Sequence, residues 1–501
     1  MLLWLGVPLS LEVVIILFVG MAIALAFGAI PGLGPPITIA LMIPFLDFFS
    51  TPVALLLLGS TYVTGIYGGS ISATLLNIPG TGASACTTLD GYPMSKQGKA
   101  ITALSVSITA SIIGGVLAIT IVILATPVLS EFVLLFGSPE YFMMAVLGIA
   151  VIAVATQGNV LKGLIAGFFG LLMMSIGVAE TTGEVRYTFG SLYLYDGVQF
   201  IPALVGIFAL TEMMRLAGTG KQISESAELL GSRLEGIKDV FRYKMTVVRS
   251  SLIGLFVGAV PGAGGTVANF VAYGVTASLR RKPPIAFGDG NPEGIVASES
   301  SNNAMVSGSL IPTLTFGIPG NSTTAVMIGA LLYMGLQPGP TLFSQHLDSL
   351  YVLFAGILLG CVFLISMYWL APYFGRVTIL DHELLIPAIL VVSLLGAYSI
   401  RFNFGDLVQL TFFGLLGYVM IRNNFSIIAL LLGIILGPTA EVNLYRSLQI
   451  GGGSPMVFLE RPLSLALVLI TVLVLVVSFL DVRQGLEAIS RRLGAALNGI
   501  R

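Results

Sequence analysis

Long apolar segments separated by short polar loops dominate the chain. Four nearly uninterrupted runs, Leu11–Ile30, Ile101–Leu124, Leu350–Leu370 and Leu463–Leu480, come close to or exceed the roughly 20 residues that a helix needs to cross a bilayer. Shorter or glycine-interrupted runs lie between them. The pattern predicts an all-α integral membrane protein with about ten to twelve transmembrane helices. We interpret Leu11–Ile30 as a retained span and not a cleaved signal, because Met1–Ser10 lacks a basic region and no small-residue cleavage site follows.

The apolar pattern is broken twice by the same short motif. Leu75–Thr88 and Thr315–Thr324 both contain Ile-Pro-Gly, starting at Ile78 and Ile318, followed by small hydroxyl or amide side chains. Proline bars a continuous helix and glycine frees the turn, and such backbone is tolerated at membrane depth only inside protein or beside a wet cavity. The half-helix that follows can turn its bare N–H groups toward an anion. We predict that the two segments are paired tips of one binding site. The alternative is a pair of kinks whose backbone is satisfied by nearby Ser and Thr side chains.

A second motif is duplicated in the same order. Gly28–Gly34 and Gly258–Gly264 share Gly-Ala-x-Pro-Gly-x-Gly at an offset of 230 (258 − 28), whereas the Ile-Pro-Gly motifs lie 240 apart (318 − 78). These offsets indicate an internal duplication with ten extra residues in the second copy, which fall naturally in residues 280–293. The predicted organisation is a first transmembrane repeat at 1–214, a cytoplasmic amphipathic linker at 215–249, a second transmembrane repeat at 250–482 and a cytoplasmic tail at 483–501.

The positive residues predict that the two repeats are inverted. Leu46–Pro52 has no Lys or Arg, whereas its second-half equivalent contains Arg280–Lys282. After the Ile-Pro-Gly motifs the pattern reverses, since Gly91–Ala100 has two lysines and Leu331–Pro340 has none. Positive residues stay in cytoplasmic loops, so matching loops would lie on opposite sides of the membrane. Many secondary transporters have this arrangement, with the site at the midplane between the repeats.

Composition and missing motifs narrow the function. Hydrophobic residues make up 56% of the chain, only 9% are charged and the net charge is −1, which does not suit a nucleic-acid surface. Cys86 and Cys361 have neither disulfide-framework nor metal-ligand spacing. The sequence contains no phosphate-binding loop, zinc-protease motif or serine-hydrolase motif. We therefore expect no enzyme and no cofactor, apart from a coupling ion, Na⁺ or H⁺.

The strongest polar cluster outside the tips lies between Glu293 and Ser309. An ionisable residue in apolar sequence is costly and indicates a functional site. Glu299 could supply negative charge or take a proton, while Asn302 and Asn303 could hold Na⁺ together with the backbone carbonyls of the tips. The alternative places Glu299 at the mouth, in water or capping a helix. The candidate ion-coupling residues are Gly32, Gly34, Gly262, Gly264, Asn269, Glu299, Asn302 and Asn303.

The tips themselves suit a carboxylate substrate, because they combine backbone N–H groups with hydroxyl and amide donors. No Lys or Arg occurs in either tip, so half-helix dipoles and a co-transported cation would balance the anion. The candidate substrate-binding residues are Asn77, Gly80, Thr81, Gly82, Ser84, Gly320, Asn321, Ser322, Thr323 and Thr324.

Over nearly its whole length, the chain resembles the large membrane subunit of the tripartite tricarboxylate transporter family. The most specific parts are Gly28–Gly34, Tyr67–Ser70 leading to Asn77–Thr81, Leu89–Met94 with Lys99, Gly258–Gly265, and Pro292–Gly294 continuing through Asn302 and Asn303 to Gly317–Gly320. The resemblance implies a secondary transporter of the bacterial inner membrane that works with a small membrane subunit and a periplasmic solute-binding protein. It also implies uptake of citrate and related organic acid anions, driven by an ion gradient.

Three other functional classes remain open at this point. A channel for ions or solutes would need the same broken helices, but would not accumulate solute against a gradient. A membrane-embedded enzyme acting on a lipid predicts acids or histidines clustered on one face. A passive scaffold for other subunits predicts that changing Asn303 or Asn321 leaves activity intact.

Overall fold

A computed structural model describes residues 10–155, 160–179, 181–218, 229–262, 264–280, 283–374 and 382–476. The predicted tail at 483–501, the linker residues 219–228 and the loop residues Arg281 and Lys282 lie outside the described residues. Within those ranges the chain is almost entirely helical, with one short antiparallel pair, β1 (Gly177–Val178) and β2 (Val185–Arg186). The prediction of an all-α protein is therefore confirmed. Cys86 and Cys361 are both free and buried.

The helices of the first part of the chain are α1 (Leu11–Ala29), α2 (Gly34–Met42), α3 (Thr51–Leu76), α4 (Thr88–Met94), α5 (Ala100–Val133), α6 (Ser138–Ala155), α7 (Val160–Met174), α8 (Phe200–Val205) and α9 (Thr211–Ala217). Those of the second part are α10 (Arg233–Arg242), α11 (Lys244–Gly258), α12 (Gly264–Leu279), α13 (Pro292–Phe316), α14 (Ser322–Tyr333), α15 (Pro340–Gln345), α16 (Leu347–Phe363), α17 (Met367–Phe374), α18 (His382–Arg401), α19 (Phe404–Arg422), α20 (Ile427–Ile450) and α21 (Val457–Glu460). Short 3₁₀ or π turns lie at Ile43–Phe48, Ala83–Thr87, Ser95–Lys99, Leu192–Asp196, Gly206–Leu210 and Leu364–Ser366.

Among the described residues, seven helical segments are long and apolar enough to cross a membrane. They are Leu11–Ala29, Thr51–Leu76, Ala83–Val133, Phe200–Ala217, Leu347–Tyr373, Phe404–Arg422 and Ile427–Ile450. Shorter apolar helices occur at Gly34–Phe48, Val160–Met174, Ser322–Tyr333, Leu385–Arg401 and Pro462–Val476. The chain is thus a multi-pass membrane protein. The number of ten to twelve crossings depends on how many of the shorter helices cross, and stays a prediction.

Two helices, α3 and α13, form the most deeply buried part of the fold. Every residue of α3 from Val53 to Leu76 is buried, and so is every residue of α13 from Glu293 to Thr315 except Ile311. The helices α1 and α16 pack on α3, while α5 and α11 pack on α13. A helix enclosed on all sides must find partners for its polar groups within the protein. The polar side chains of this pair therefore face other side chains and not lipid.

The duplication seen in the sequence recurs in the packing of these helices. A Cβ atom at Gly68 of α3 would lie 2.3 Å from the Leu25 carbonyl oxygen of α1, and one at Gly308 of α13 would lie 2.1 Å from the Leu255 carbonyl oxygen of α11. Leu25 and Leu255 are related by the offset of 230, and Gly68 and Gly308 by the offset of 240. In both repeats, therefore, two equivalent helices approach each other closely at equivalent positions. Only glycine permits such a close approach.

The chain forms two compact units. One comprises Met1–Leu134 with Gln199–Tyr418, and the other comprises Leu135–Val198 with Val419–Arg501. Each predicted half thus contributes to both units. The boundaries of the predicted repeats stay a prediction, because a repeat relates segments of sequence and need not coincide with a compact unit.

The second unit is held by helix packing and by two ion pairs. α6 and α7 pack on α20. Arg186 of β2 pairs with Glu441 at 2.8 Å, which raises the pKa of the guanidinium, and Arg461 pairs with Glu140 at 2.7 Å. The Glu441 side chain is 37% exposed, whereas that of Glu140 is completely buried. The second pair therefore joins a fully buried carboxylate to a guanidinium that is 43% exposed.

Candidate functional site

The two broken segments begin with the same backbone turn. α3 ends at Asn77, which adopts a left-handed conformation with φ 59°, and α13 ends at Gly317 with φ 69°. These two positions are related by the offset of 240. Asparagine is among the few side chains that tolerate this conformation, and glycine adopts it freely. Both long helices therefore stop in the same way just before Ile-Pro-Gly, and the Asn77 side chain is exposed.

We define the first tip as Ile78–Ser84 and the second tip as Ile318–Thr324, and we call the segments Gly28–Gly34 and Gly258–Gly264 the Pro-Gly motifs. Each tip packs on the Pro-Gly motif of its own repeat. A Cβ atom at Gly80 would lie 2.1 Å from the Gly28 carbonyl oxygen, and one at Gly320 would lie 3.1 Å from the Gly258 carbonyl oxygen. The Gly262 N–H also donates to the Gly320 carbonyl at 3.0 Å. The structure therefore brings together, twice, the two motifs that the sequence duplicates.

The polar groups of the first tip are mostly bonded to one another. The Ser84 hydroxyl donates to the Thr81 carbonyl at 2.9 Å and accepts the Thr81 N–H at 3.2 Å. Gly82 is exposed. Asn269 of α12 joins this tip, as its amide nitrogen donates to the Ala83 carbonyl at 2.7 Å. Its Oδ1 is buried and has no hydrogen-bond partner among the described residues.

The second tip opens α14 with a capping box. The Asn321 Oδ1 accepts the Thr324 N–H, and the Thr324 hydroxyl accepts the Asn321 N–H, both at 3.0 Å. The Asn321 amide also donates to the Tyr62 hydroxyl of α3 at 2.7 Å. Ser322 is partly exposed and Thr323 is buried. The start of α14 is thereby fixed to a central helix of the other repeat, and its first N–H groups form an electropositive helix end.

The four candidate glycines of the Pro-Gly motifs shape the backbone. Gly32, Gly34, Gly262 and Gly264 all have positive φ, at 93°, 38°, 78° and 64°. They turn the chain between α1 and α2 and between α11 and α12, which is a conformation that glycine adopts without strain. Their participation in ion binding stays a prediction.

Glu299 lies in the interior of the protein and not at a helix end. Its side chain is fully buried. The Thr87 hydroxyl donates to one carboxylate oxygen at 2.5 Å, and the Ser111 hydroxyl of α5 donates to the other at 2.7 Å. Ser70 and Asn302 also reach the carboxylate. Because Thr87 follows the first tip by three residues, the carboxylate connects α13 to that tip.

The helix α13 that carries Glu299 also carries several unpartnered polar atoms. Glu299, Asn302 and Asn303 share one face of α13, as residues spaced by three and four do. The buried side-chain atoms of α13 without a hydrogen-bond partner among the described residues are the hydroxyls of Ser300, Ser301 and Ser307, the Oδ1 of Asn302, and both the Oδ1 and Nδ2 of Asn303. Buried polar atoms are nearly always partnered. Amide and carboxylate oxygens are suitable ligands for a hard cation, so this face of α13 is a candidate ion site.

The carboxylate cluster is not duplicated. The offset of 240 relates Glu299 to Gly59 of α3, where a Cβ atom would lie 2.5 Å from the Leu353 carbonyl oxygen of α16. A side chain there would collide with backbone. The scaffold is therefore repeated, but its buried charge occurs in one copy only.

Sequence reasoning missed an ion pair beside the first Pro-Gly motif. A Cβ atom at Gly32 would lie 1.9 Å from an oxygen of Glu212 and 2.5 Å from a nitrogen of Arg215, and these two α9 residues are bonded to each other at 2.9 Å. A Cβ atom at Gly34 would meet the Thr81 methyl at 3.8 Å, so the same Pro-Gly motif contacts the ion pair at Gly32 and the first tip at Gly34. The only sequence signal for this ion pair is Glu-x-x-Arg at the end of an apolar run. The predicted boundary between the first repeat and the linker, at residue 215, falls between these two residues.

Comparison with known proteins identifies the family to which the chain belongs. The profile of the family described as Tripartite tricarboxylate transporter TctA family matches residues 14–432. The chain belongs to this family. The match contains both tips, both Pro-Gly motifs and Glu299, so the candidate site lies within the part that the TctA family shares. The resemblance noted from the sequence is confirmed.

Two relatives of this TctA-family chain come from Agrobacterium vitis. This chain is 34% identical over 470 residues, or 92% of each chain, to a protein named "Uncharacterized 52.8 kDa protein in TAR-I ttuC' 3'region". It is 35% identical over 217 residues, 43% of this chain and 88% of the relative, to "Uncharacterized protein in TAR-II ttuC' 3'region". No solved structure matches the chain. Membership of the TctA family makes the protein a membrane component of a transporter that has other subunits.

Proposed function

We propose that this TctA-family chain is the large transport subunit of a binding-protein-dependent secondary active transporter. It imports tricarboxylates or related organic acids such as citrate across the bacterial inner membrane, driven by a Na⁺ or H⁺ gradient. The observation that carries the proposal is the hydrogen bond from Thr87 to Glu299, because it joins the candidate ion site to a candidate substrate tip.

The ion site is supported by the cost of burying a charge. An ionised carboxylate in a dry interior is unfavourable unless it is paired, and the groups that contact Glu299 are hydroxyls and an amide. A bound proton or Na⁺ would neutralise it. The unpartnered oxygens of Asn302 and Asn303, on the same helix, would contribute to the coordination of Na⁺.

The substrate site is supported by the chemistry of the tips. The start of α14 offers N–H groups and the hydroxyls of Ser322 and Thr323 to an anion. Neither tip contains Lys or Arg, so the cation at Glu299 and the helix dipoles would supply most of the positive potential. Arg215 adds a guanidinium beside Gly32 of the first Pro-Gly motif, although Glu212 neutralises it in this structure.

Coupling follows from the shared contact. Filling the ion site changes the charge of the group that accepts the Thr87 hydroxyl, and Thr87 is continuous with the first tip. Binding of the ion and binding of the anion would therefore favour each other, and such a coupling free energy is reciprocal. The solute is handed over by a periplasmic solute-binding protein, and a small membrane subunit completes the transporter.

The test is uptake of labelled citrate into proteoliposomes that contain this chain and the small subunit, with and without an inward Na⁺ or H⁺ gradient and the periplasmic binding protein. Accumulation that requires both a gradient and the binding protein is the expected result. Downhill leak without coupling would instead indicate a channel. If none of a panel of organic acids accumulates under either gradient, the proposal is wrong.

A further inference from the structure

Asp90 of α4 connects the segment after the first tip to the second repeat. One of its oxygens accepts the N–H groups of Gly288 at 2.9 Å, Gly290 at 3.0 Å and Asn291 at 2.7 Å. The other oxygen accepts the Tyr273 hydroxyl of α12 at 2.8 Å. Asp90 is only 1% exposed. We call this set of bonds the anchor.

Tyr333 forms the corresponding connection after the second tip. This residue ends α14, and its hydroxyl donates to Asp47 in the 3₁₀ turn Ile43–Phe48. Asp47 is exposed and Tyr333 is partly exposed. We call this bond the latch. The anchor joins the segment after the first tip to the turn before α13, and the latch joins the segment after the second tip to the turn before α3.

The two connections occupy matching places but differ in strength. The anchor consists of four bonds to a buried carboxylate, and such charge-assisted bonds are strong when water is excluded. Breaking them would leave the carboxylate unsatisfied in the interior. The latch lies where water can replace either partner. Opening the latch therefore costs far less than opening the anchor.

Space next to the latch is consistent with movement there. Tyr333 lines a cavity of about 290 Å³ together with Phe200, Gly329 and Arg401. The end of α14 therefore borders open space at Tyr333, whereas Gly329, one turn earlier, packs directly on the Phe200 ring.

We infer that the bond between Tyr333 and Asp47 is a releasable latch, and that α14 with the second tip moves during transport, giving up the Asn321–Tyr62 hydrogen bond at its start, while the first tip stays held through Asp90. The inference rests on the proposed transport function. Tyr333 and Asp47 are positioning residues, since they act on the solute through α14 and do not contact it.

The experiment uses cross-linking in a variant whose native thiols are removed by Cys86→Ala and Cys361→Ala. One double variant carries Asp47→Cys and Tyr333→Cys across the latch. The matched control carries Gln97→Cys and Asp289→Cys across the anchor, where the Gln97 amide donates to the Asp289 carbonyl at 2.8 Å. A bifunctional methanethiosulfonate reagent of one length links either pair, and dithiothreitol releases both. Uptake is measured in the complete transporter before linking, after linking and after release.

Linking the latch should lower uptake at least tenfold, and release should restore it, while linking the anchor should change uptake less than twofold. Undiminished uptake with the latch linked would overturn the inference, as would equal losses in both pairs. These outcomes differ from a failure of the proposed function, in which the unlinked protein accumulates no organic acid under any gradient.

A second measurement does not depend on the activity of the double variants. Tyr333→Phe removes the donor of the latch and keeps the ring. In the same thiol-free background, Ser322→Cys reports access to the second tip through its rate of modification by a water-soluble thiol reagent. Tyr333→Phe should raise that rate at least threefold, and an unchanged rate would contradict the latch.

Discussion

The Glu299 carboxylate is fully buried, and hydroxyl donors stabilise its negative charge. Thr87 and Ser111 each donate one hydrogen bond to it. Such donors favour the ionised form, whereas complete burial favours the neutral form. We predict that a cation which binds here would shift this balance by compensating the charge of the carboxylate.

Glu299→Gln should uncouple transport while leaving the fold intact. The amide keeps the shape of the side chain and removes the charge that would hold Na⁺ or H⁺. We expect gradient-driven accumulation in proteoliposomes to fall at least 100-fold, which corresponds to about 2.7 kcal/mol of lost coupling energy. The matched control is Glu235→Gln on α10, whose side chain is 52% exposed and which should transport normally. Wild-type accumulation by Glu299→Gln would remove this residue from the mechanism.

Gly320→Val should abolish transport without preventing membrane insertion. A Cβ atom at this position would already lie 2.7 Å from the Cβ of Ser309, and the branched side chain would push the second tip off α13. The control is Gly274→Val in α12, where a Cβ atom has open space around it. Uptake and protein content of the membrane are measured together. Normal uptake by Gly320→Val would show that the tight turn is not needed.

For single residues, the sequence indicates the glycines of the tips and the buried acid better than it indicates the side chains that contact them. Gly80 and Gly320 could be identified because a Pro-Gly break at membrane depth has few explanations. Glu299 could be identified because an acid in apolar sequence is costly. Thr87, Ser111 and Tyr62 could not, since a lone hydroxyl in a membrane helix usually bonds to its own backbone. Arg215 was missed because its approach to Gly32 is a tertiary contact with no local signature.

Among the elements, α14 combines several functions in 12 residues. It begins at the capping box of Asn321 and Thr324, is tied to α3 through Tyr62, and ends at Tyr333. Because the cap satisfies N–H groups that otherwise have no partner inside the helix, it also determines where the exposed N–H groups point. Changes at the cap should therefore alter the second tip more than they alter overall stability.

Asn321→Ala should reduce transport at least tenfold for a modest loss of stability. Removal of a cap costs about 1 kcal/mol, and Tyr62 also loses its amide partner. The matched control is Ser426→Ala, because Ser426 caps α20 in the second unit by accepting the Ala429 N–H at 3.1 Å. Thermal unfolding and uptake are measured for both variants. If the two lose uptake equally, the effect is one of stability and not of the tip.

The elements were predicted in outline because their apolar runs are long and their breaks are marked by Pro and Gly. The left-handed end of α3 at Asn77 was not predicted, since Asn tolerates several conformations and the parallel with Gly317 appears only once both helices are seen. The capping box of α14 has a sequence signature, but Asn-x-x-Thr is too common in polar turns to be distinctive. The unequal connections at Asp90 and Tyr333 join segments far apart in the chain, so no local pattern could indicate them.

At the scale of the whole molecule, the stability of the second unit depends on the buried carboxylate of Glu140. Glu140 is fully buried and bonded to Arg461 and to the Gly137 N–H. Although the Arg461 side chain is 43% exposed, its removal would leave the buried Glu140 carboxylate uncompensated, which is more damaging than loss of a pair at a surface.

Arg461→Ala should therefore destabilise the protein by about 1–3 kcal/mol, less than the loss of a pair buried on both sides, seen as a lower midpoint of thermal unfolding in detergent. Arg186→Ala breaks the partly exposed pair with Glu441 and should cost no more than about 1 kcal/mol. Adding Glu140→Gln to Arg461→Ala should recover part of the loss, because the buried charge is then gone. Equal effects of the two arginine substitutions would show that burial of Glu140 does not matter.

The single occurrence of Glu299, opposite Gly59 in a repeated scaffold, has an electrical consequence. The Glu299 site would have a charge of −1 when it is unloaded and no charge when one monovalent cation is bound. The unloaded return step would then move charge through the membrane field, and each elementary charge that crosses 100 mV contributes about 2.3 kcal/mol. The membrane potential would therefore act on the resetting of the carrier, and the turnover number would rise or fall with voltage even at saturating solute.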